Sequence, residues 1–307
     1  MSWFKRIDQY LFGFGSPVTL GVYRALMGSL IFINLAMIAK DFSVWFTDAG
    51  PAPANTAAIW AGDQWNLNVL RDVTDPRIAM AVYGVTMLAA LMVALGLTTR
   101  LATIVLYIGF ISLHHRNPFI LHGGDTLMRC SVITLMLAPC GAAFSLDRLI
   151  SQRAGKPTKD LVSLWPQRLI QFEMCLMYLT TVWHKWGGRT WRDGTAAWYP
   201  PHLSEFFRFP MPNWIDLPPY VQISSYGTLV IEILLGTLVF YKPARKWVLI
   251  SGIFLHFMIE WRFNIPLFAF ICWAQYVSHY SGEEVQGWLD RAKLRFLPQM
   301  NKEAASG

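Results

Sequence analysis

Along most of this chain the apolar residues do not alternate with polar ones. They run together for the length of a membrane-spanning helix, about 20 residues. Eight such stretches stand out: Val18–Ala39, Ile78–Leu97, Leu101–Leu121, Asp125–Ser145, Leu169–Trp186, Pro219–Tyr241, Trp247–Trp261 and Ile265–His279. Polar residues interrupt two of them, His114–Asn117 in the third and Glu260–Arg262 at the end of the seventh. The pattern changes at both ends of the chain. Trp3, Phe4, Ile7, Leu11 and Phe12 recur at helical spacing beside Lys5, Arg6 and Asp8, and Val285, Trp288, Leu289, Ala292 and Phe296 do so beside Glu284, Asp290, Arg291, Lys293 and Arg295. Helices with two such faces lie on a membrane surface. The expected fold is therefore all-α and a single domain over 1–307: an interfacial helix at 1–16, a bundle of eight transmembrane helices at 17–280 and an amphipathic cytoplasmic tail at 281–307. No cleavable signal peptide is expected, because the first apolar run is too long and begins too late.

Composition supports the membrane reading. The 307 residues are 54% hydrophobic and only 15% charged, more apolar than soluble domains usually are. The net charge of +7 gains its meaning from where the basic residues fall. Lys5 and Arg6, Arg100, the group Arg148 to Arg168, the group Lys242 to Lys246 and the tail from Arg291 all map to one side of an eight-span bundle. That side is the cytoplasm, and both termini join it. The other side holds Asp41, Asp48, Asp63, Asp72 and Asp75 in one long loop. The charge is thus a bias toward the cytoplasmic leaflet of a multi-pass protein of the cytoplasmic membrane, and no nucleic-acid partner is expected. The four cysteines, Cys130, Cys140, Cys175 and Cys272, form no CxxC pair, so no metal is expected. No phosphate loop is present either: Gly13-Phe14-Gly15 lacks a following Lys-Ser/Thr.

Candidate chemistry comes from ionisable residues inside the spans, where each needs a partner, water or a task. Arg24 and Glu173 lie about two turns in from the cytoplasmic end of their spans, which suggests an ion pair clamping two helices. Glu232 and His256 both land near the midplane at about 1.5 Å per residue. Glu260 sits one turn beyond His256 on the same face. A carboxylate beside a histidine tunes an acid or base, although two such groups can equally satisfy each other in a packed bundle. Toward the outer surface lie His114, His115, Arg116, Asn117, Asp125, Arg129, His184 and Lys185. His115, Arg116, Asn117, Asp125 and Arg129 are expected to form one polar network that binds substrate, with Gly123-Gly124 reversing the chain between them. Tyr178, Thr181 and Lys185 share one helix face. Lys185 either snorkels to water or sits as a base among Tyr178, Trp183 and Trp186.

Taken in order, these segments resemble the HTTM domain family, the membrane domain related to vitamin K-dependent γ-carboxylases. The resemblance runs through Tyr23-Arg24-Ala25-Leu26, then Asn117, then Gly124-Asp125 with Arg129. It continues in Tyr178 to Lys185 with Trp191 and Gly194 beyond them, in Glu232, in Leu255-His256-Phe257-Met258 and in Leu267-Phe268, so that it covers about Leu11 to Tyr280. The resemblance implies that Lys185 is the base that deprotonates a reduced, vitamin K-like quinone, with His256, Glu232 and His184 in catalytic support. His184 stands where the family has a first lysine, and Pro118 comes after Asn117 where the family has histidine. The partners implied are membrane lipids and a lipid-soluble quinone or other small substrate. Three functions remain open: a quinol- or lipid-dependent oxidoreductase or carboxylase-like enzyme, a non-enzymatic maturation or export partner for a secreted peptide or toxin, and a proton or solute pathway through Glu232 and His256.

Overall fold

The computed structural model describes residues 2–304 other than 55, 57, 58 and 60–65, with side chains as far as Leu294. Asp63 and the side chains of Arg295, Phe296 and Lys302 lie outside the described residues. Helices joined by turns and irregular segments make up the described residues, with one two-residue antiparallel pair of strands, β1 (Phe14–Gly15) with β2 (Val162–Ser163). The helices are α1 (Trp3–Phe12), α2 (Val18–Ile38), α3 (Phe42–Phe46), α4 (Pro76–Leu95), α5 (Thr99–Arg116), α6 (Gly123–Leu137) and α7 (Leu146–Arg153). They continue as α8 (Trp165–Gly187), α9 (Arg189–Arg192), α10 (Pro218–Gly236), α11 (Lys242–Arg262), α12 (Phe268–Tyr276) and α13 (Gly282–Ala304). Two segments, Val18–Phe46 and Pro76–Leu95, are long and apolar enough to cross a membrane.

Proline and glycine set many of the boundaries. A proline is tolerated in the first turn of a helix, where its missing N–H has no partner to lose. It stands there in α4, α8, α10 and α11. Gly96 ends α4 at φ 69°, and an added Cβ there would meet the Arg24 guanidinium carbon at 2.8 Å. Proline also shortens two of the expected spans by forcing the residue before it out of the helical region. The third stops at Arg116 because Asn117, before Pro118, is extended. The fourth stops at Leu137 because Ala138, before Pro139, is extended, and a turn then leads to the separate helix α7. The eighth is only the short α12 plus a single 3-10 turn, Val277–His279.

Two apolar cores hold the bundle together. The larger joins α2, α4, α5 and α6 through residues such as Met27, Leu106 and Met128. The smaller joins Met174 and Tyr178 of α8 to Leu235, Val248 and Leu249 of α10 and α11. Helix α12 serves both, giving Ile271 and Cys272 to the first and Tyr276 to the second. Many large apolar side chains point outward instead, among them Leu88, Trp183, Ile223, Trp247 and Phe254, as suits helices surrounded by lipid. Helix α1 buries none of its residues and leaves Trp3 and Phe4 exposed, as suits a helix lying on a surface.

The expected Arg24–Glu173 ion pair does not form. Arg24 is fully buried, and its guanidinium donates to four main-chain carbonyls: Cys140 at 3.2 Å, Ala94 at 2.9 Å, Val93 and Phe144. Val93 and Ala94 belong to the last turn of α4; the Val93 carbonyl also accepts the Gly96 N–H at 3.1 Å, and that of Ala94 depends on Arg24. Glu173 instead accepts from Thr134 Oγ1 at 2.8 Å. The two residues have thus taken separate partners.

Candidate functional site

Where α8, α10, α11 and α12 meet, five of their side chains form a largely buried polar centre. Tyr178, Thr181 and Lys185 recur on α8 at i, i+3 and i+7 and so fall on one face. Lys185 Nζ pairs with Glu232 Oε1 of α10, and the side chains are 20% and 7% exposed, so the pair is largely withdrawn from water. Trp191, just beyond α8, places its ring 5.0 Å from Lys185 Nζ, a cation–π contact. Glu232 Oε2 is buried and has no hydrogen-bond partner among the described residues.

Below this pair lies a ring of three groups. Tyr178 and Tyr276 hydroxyls are 3.0 Å apart. Tyr178 approaches His256 Nε2 at 3.4 Å, and Tyr276 approaches Nδ1 at 3.2 Å. His256 Nδ1 also lies 2.8 Å from the Gly252 carbonyl, one turn back on α11, which favours the tautomer protonated at Nδ1. An added Cβ at Gly252 would lie 2.5 Å from the Tyr276 hydroxyl, so glycine makes the room for this contact. Gly252→Ala is expected to push Tyr276 out of the ring and destabilise the fold by about 1–3 kcal/mol, the usual cost of overpacking. Denaturation in detergent checks it, and an unchanged midpoint would show that the ring tolerates Tyr276 elsewhere.

Several expected placements are corrected. His184 is exposed, because the residue next to Lys185 on a helix points about 100° away. Trp183 and Trp186 are 80% and 56% exposed and do not surround Lys185. No hydrogen bond joins Glu232 to His256, since each has taken another partner. Glu260, one turn from His256, accepts from the Ala269 N–H at 3.2 Å and faces Arg208 at 3.7 Å.

The outer polar residues do not form one network. Arg116 is fully buried and donates to Asp48 Oδ1 at 2.7 Å and to the Ala52 carbonyl at 2.8 Å. Asn117 donates to the Trp45 carbonyl at 3.0 Å. Arg116 therefore anchors the loop after α3, and Asn117 the last turn of α3 itself. His115 lies 3.1 Å from the Leu67 carbonyl. Asp125 turns the other way, accepting from the His122 N–H at 2.8 Å in a capping box that starts α6, and from Asn34 at 3.2 Å. Asp125 also faces the buried His114 at 3.9 Å. Arg129 reaches Thr126 at 3.4 Å and not Asp125, four residues back. The division has a local cause: Asp125 is spent on the helix start, where a carboxylate is best placed.

Tyr276, His122, Asn34 and Asp48 take part in these contacts without standing out in the sequence as site residues. His122 has a signal, since the third residue after it is an acid that can complete a capping box. Tyr276 has none, being one aromatic among many in an apolar run.

The polar groups deeper in the bundle fall into separate clusters. Ser131 links Tyr23 at 2.7 Å with Gln275 at 3.1 Å. Among the described residues no hydrogen bond joins this cluster to Glu173 and Thr134, or to Asp125 and His114. Among the described residues no unbroken chain of direct side-chain hydrogen bonds runs from Glu173 to His115.

Compared with known families, residues 15–282 match the HTTM domain. No curated protein and no solved structure matches the chain.

Proposed function

The chain belongs to the HTTM domain family, a membrane-associated domain of the carboxylase family, and we propose that it is a multi-pass enzyme of the cytoplasmic membrane acting on a reduced quinone or a similar lipid-soluble acid. The observation that carries this reading is the Lys185–Glu232 pair, with Glu232 Oε2 buried and unpartnered beside it. An acidic hydroxyl of a reduced quinone fits that atom, because it donates where the site has an acceptor left over. When bound, such a quinone supplies the removable proton and the electrons. Lys185 Nζ and Glu232 Oε1 then act as one proton-sharing unit. With the shared proton on Glu232 Oε1 the Lys185 amine is neutral; as the hydroxyl's proton moves to Oε2, the proton on Oε1 moves to the amine, so that Lys185 ends as the ammonium and is the base that keeps the proton. Tyr178, His256 and Tyr276 keep the floor of the site polar, and His256 and Tyr276 hold Tyr178 in register about two helical turns below Lys185.

The test is the oxidation of a reduced naphthoquinone in air-saturated buffer by the protein in nanodiscs, with carbon dioxide incorporation into added peptides or lipids monitored in parallel. Protein-dependent consumption of the quinol that Lys185→Ala removes is the expected result. No binding and no consumption above the protein-free background would overturn the reading.

The same proposal places eight spans with both termini in the cytoplasm. Reporter fusions at Ala54 and Ser151 are expected on opposite sides of the membrane, Ala54 outside. Both reporting one side would refute the arrangement.

A further inference from the structure

At the opposite end of the bundle from Lys185, the starts of α2, α8, α11 and α13 surround a cavity of about 810 Å³. Its walls are unlike the apolar core. Arg168 and Arg245 line it, held in place by main-chain carbonyls, Tyr10 at 3.1 Å and Val239 at 3.3 Å. Lys242 lines it and is exposed. His279 lines it as well and is only 4% exposed, yet its Nε2 has no hydrogen-bond partner among the described residues. A buried ring nitrogen left without a partner is costly unless something that enters the cavity completes it. Two acids stand at the rim. Glu284 already accepts the Ser281 N–H at 2.7 Å, and Glu283 is exposed. The cavity therefore offers three cations, an idle nitrogen and the positive ends of several helices in one place.

We propose that this cavity binds a phosphate group, the headgroup of an anionic membrane lipid or a soluble phosphate ester, with Arg168, Lys242 and Arg245 around its charge and His279 Nε2 donating to one of its oxygens. Basic pockets between membrane helices on the cytoplasmic side take lipid headgroups in this way. The site is remote from Lys185, and its occupancy does not depend on any reaction there.

The experiment uses the full chain in phosphatidylcholine nanodiscs carrying a small share of spin-labelled phosphatidylglycerol, and reads the immobilised fraction of the label. Lys242→Gln and Arg245→Gln are each expected to weaken retention about fivefold, the effect of roughly one basic residue at the membrane surface. His279→Phe is expected to weaken it roughly tenfold, the loss of one hydrogen bond to a charged group, without changing the protein's net charge. His279→Gln keeps a donor and is expected to retain most of the binding even if the phenylalanine variant folds poorly. Arg153→Gln with Lys156→Gln removes charge from the same side away from the cavity and is expected to change little. In a second arm, inorganic phosphate or glycerol 3-phosphate is added to pure phosphatidylcholine nanodiscs. Binding there assigns the site to a soluble ester, and binding only in the first arm assigns it to the lipid. Absence of binding in both arms, or equal losses in the cavity and Arg153/Lys156 variants, would overturn the proposal.

Discussion

Lys185→Arg is expected to yield a folded protein with no turnover. Arginine keeps the positive charge that faces Glu232, so the carboxylate is not stranded, but it does not release its proton near neutral pH. A general base is typically worth about 10²–10⁴ in rate, and a loss of that size is the expected reading in the quinol oxidation assay. Lys185→Ala is expected to be equally inactive and also less stable by about 1–3 kcal/mol, because Glu232, itself buried, then loses its donor. The comparison separates chemistry from structure. Glu232→Gln, which keeps the shape and an acceptor, is expected to be stable and slow. A fully active Lys185→Arg protein would mean that only the charge matters and would remove the enzyme reading.

Arg24→Leu should be among the most damaging substitutions in the chain. It removes the shared donor of four carbonyls, and among the described residues those of Ala94, Cys140 and Phe144 are then left unpaired, while Val93 keeps the Gly96 N–H. Each unpaired buried group costs about 1–3 kcal/mol, part of which relaxation recovers, so a loss of about 4 kcal/mol or more is expected. Had Arg24 paired with Glu173, removing both charges would have recovered much of that loss. The carbonyl cluster predicts otherwise. Glu173→Leu should cost only the Thr134 contact, and the double variant should be unstable by the sum of the singles. Chemical denaturation of the four proteins in bicelles reads the difference. Recovery in the double variant would sink the carbonyl account.

The helical class and most helix ends were legible in the sequence because they are local. A run of apolar residues, a proline in a first turn and an amphipathic helix at Trp3–Phe12 depend on neighbours in the chain. The layering of Glu232, His256 and Lys185 was legible only in part: residue count times rise put Glu232 and His256 in one layer and Lys185 in another, yet Lys185 reaches Glu232 directly and Glu232 does not bond His256. The shorter spans were legible only in part. Pro118 and Pro139 were there to be read, but the apolar pattern continues past both.

Direction around each helix, and therefore the choice of partner, was decided by tertiary packing. Lys185 found Glu232 while His184 beside it faces outward. Arg116 and Asn117 turned to α3 and the loop after it while Asp125 turned to the start of α6. Arg24 is the clearest case. Sequence reasoning looks for an acid to match a buried cation, because acids are visible in a sequence. Its partners are backbone carbonyls, which every residue carries, and only the meeting of a helix end with two turns brings four of them within reach. What the amino-acid order determined by itself was a set of helices and the height of each polar group along them. Which of those groups touch was settled by how the apolar faces packed, because burial energy is set by the whole contact surface and not by any one pair of residues.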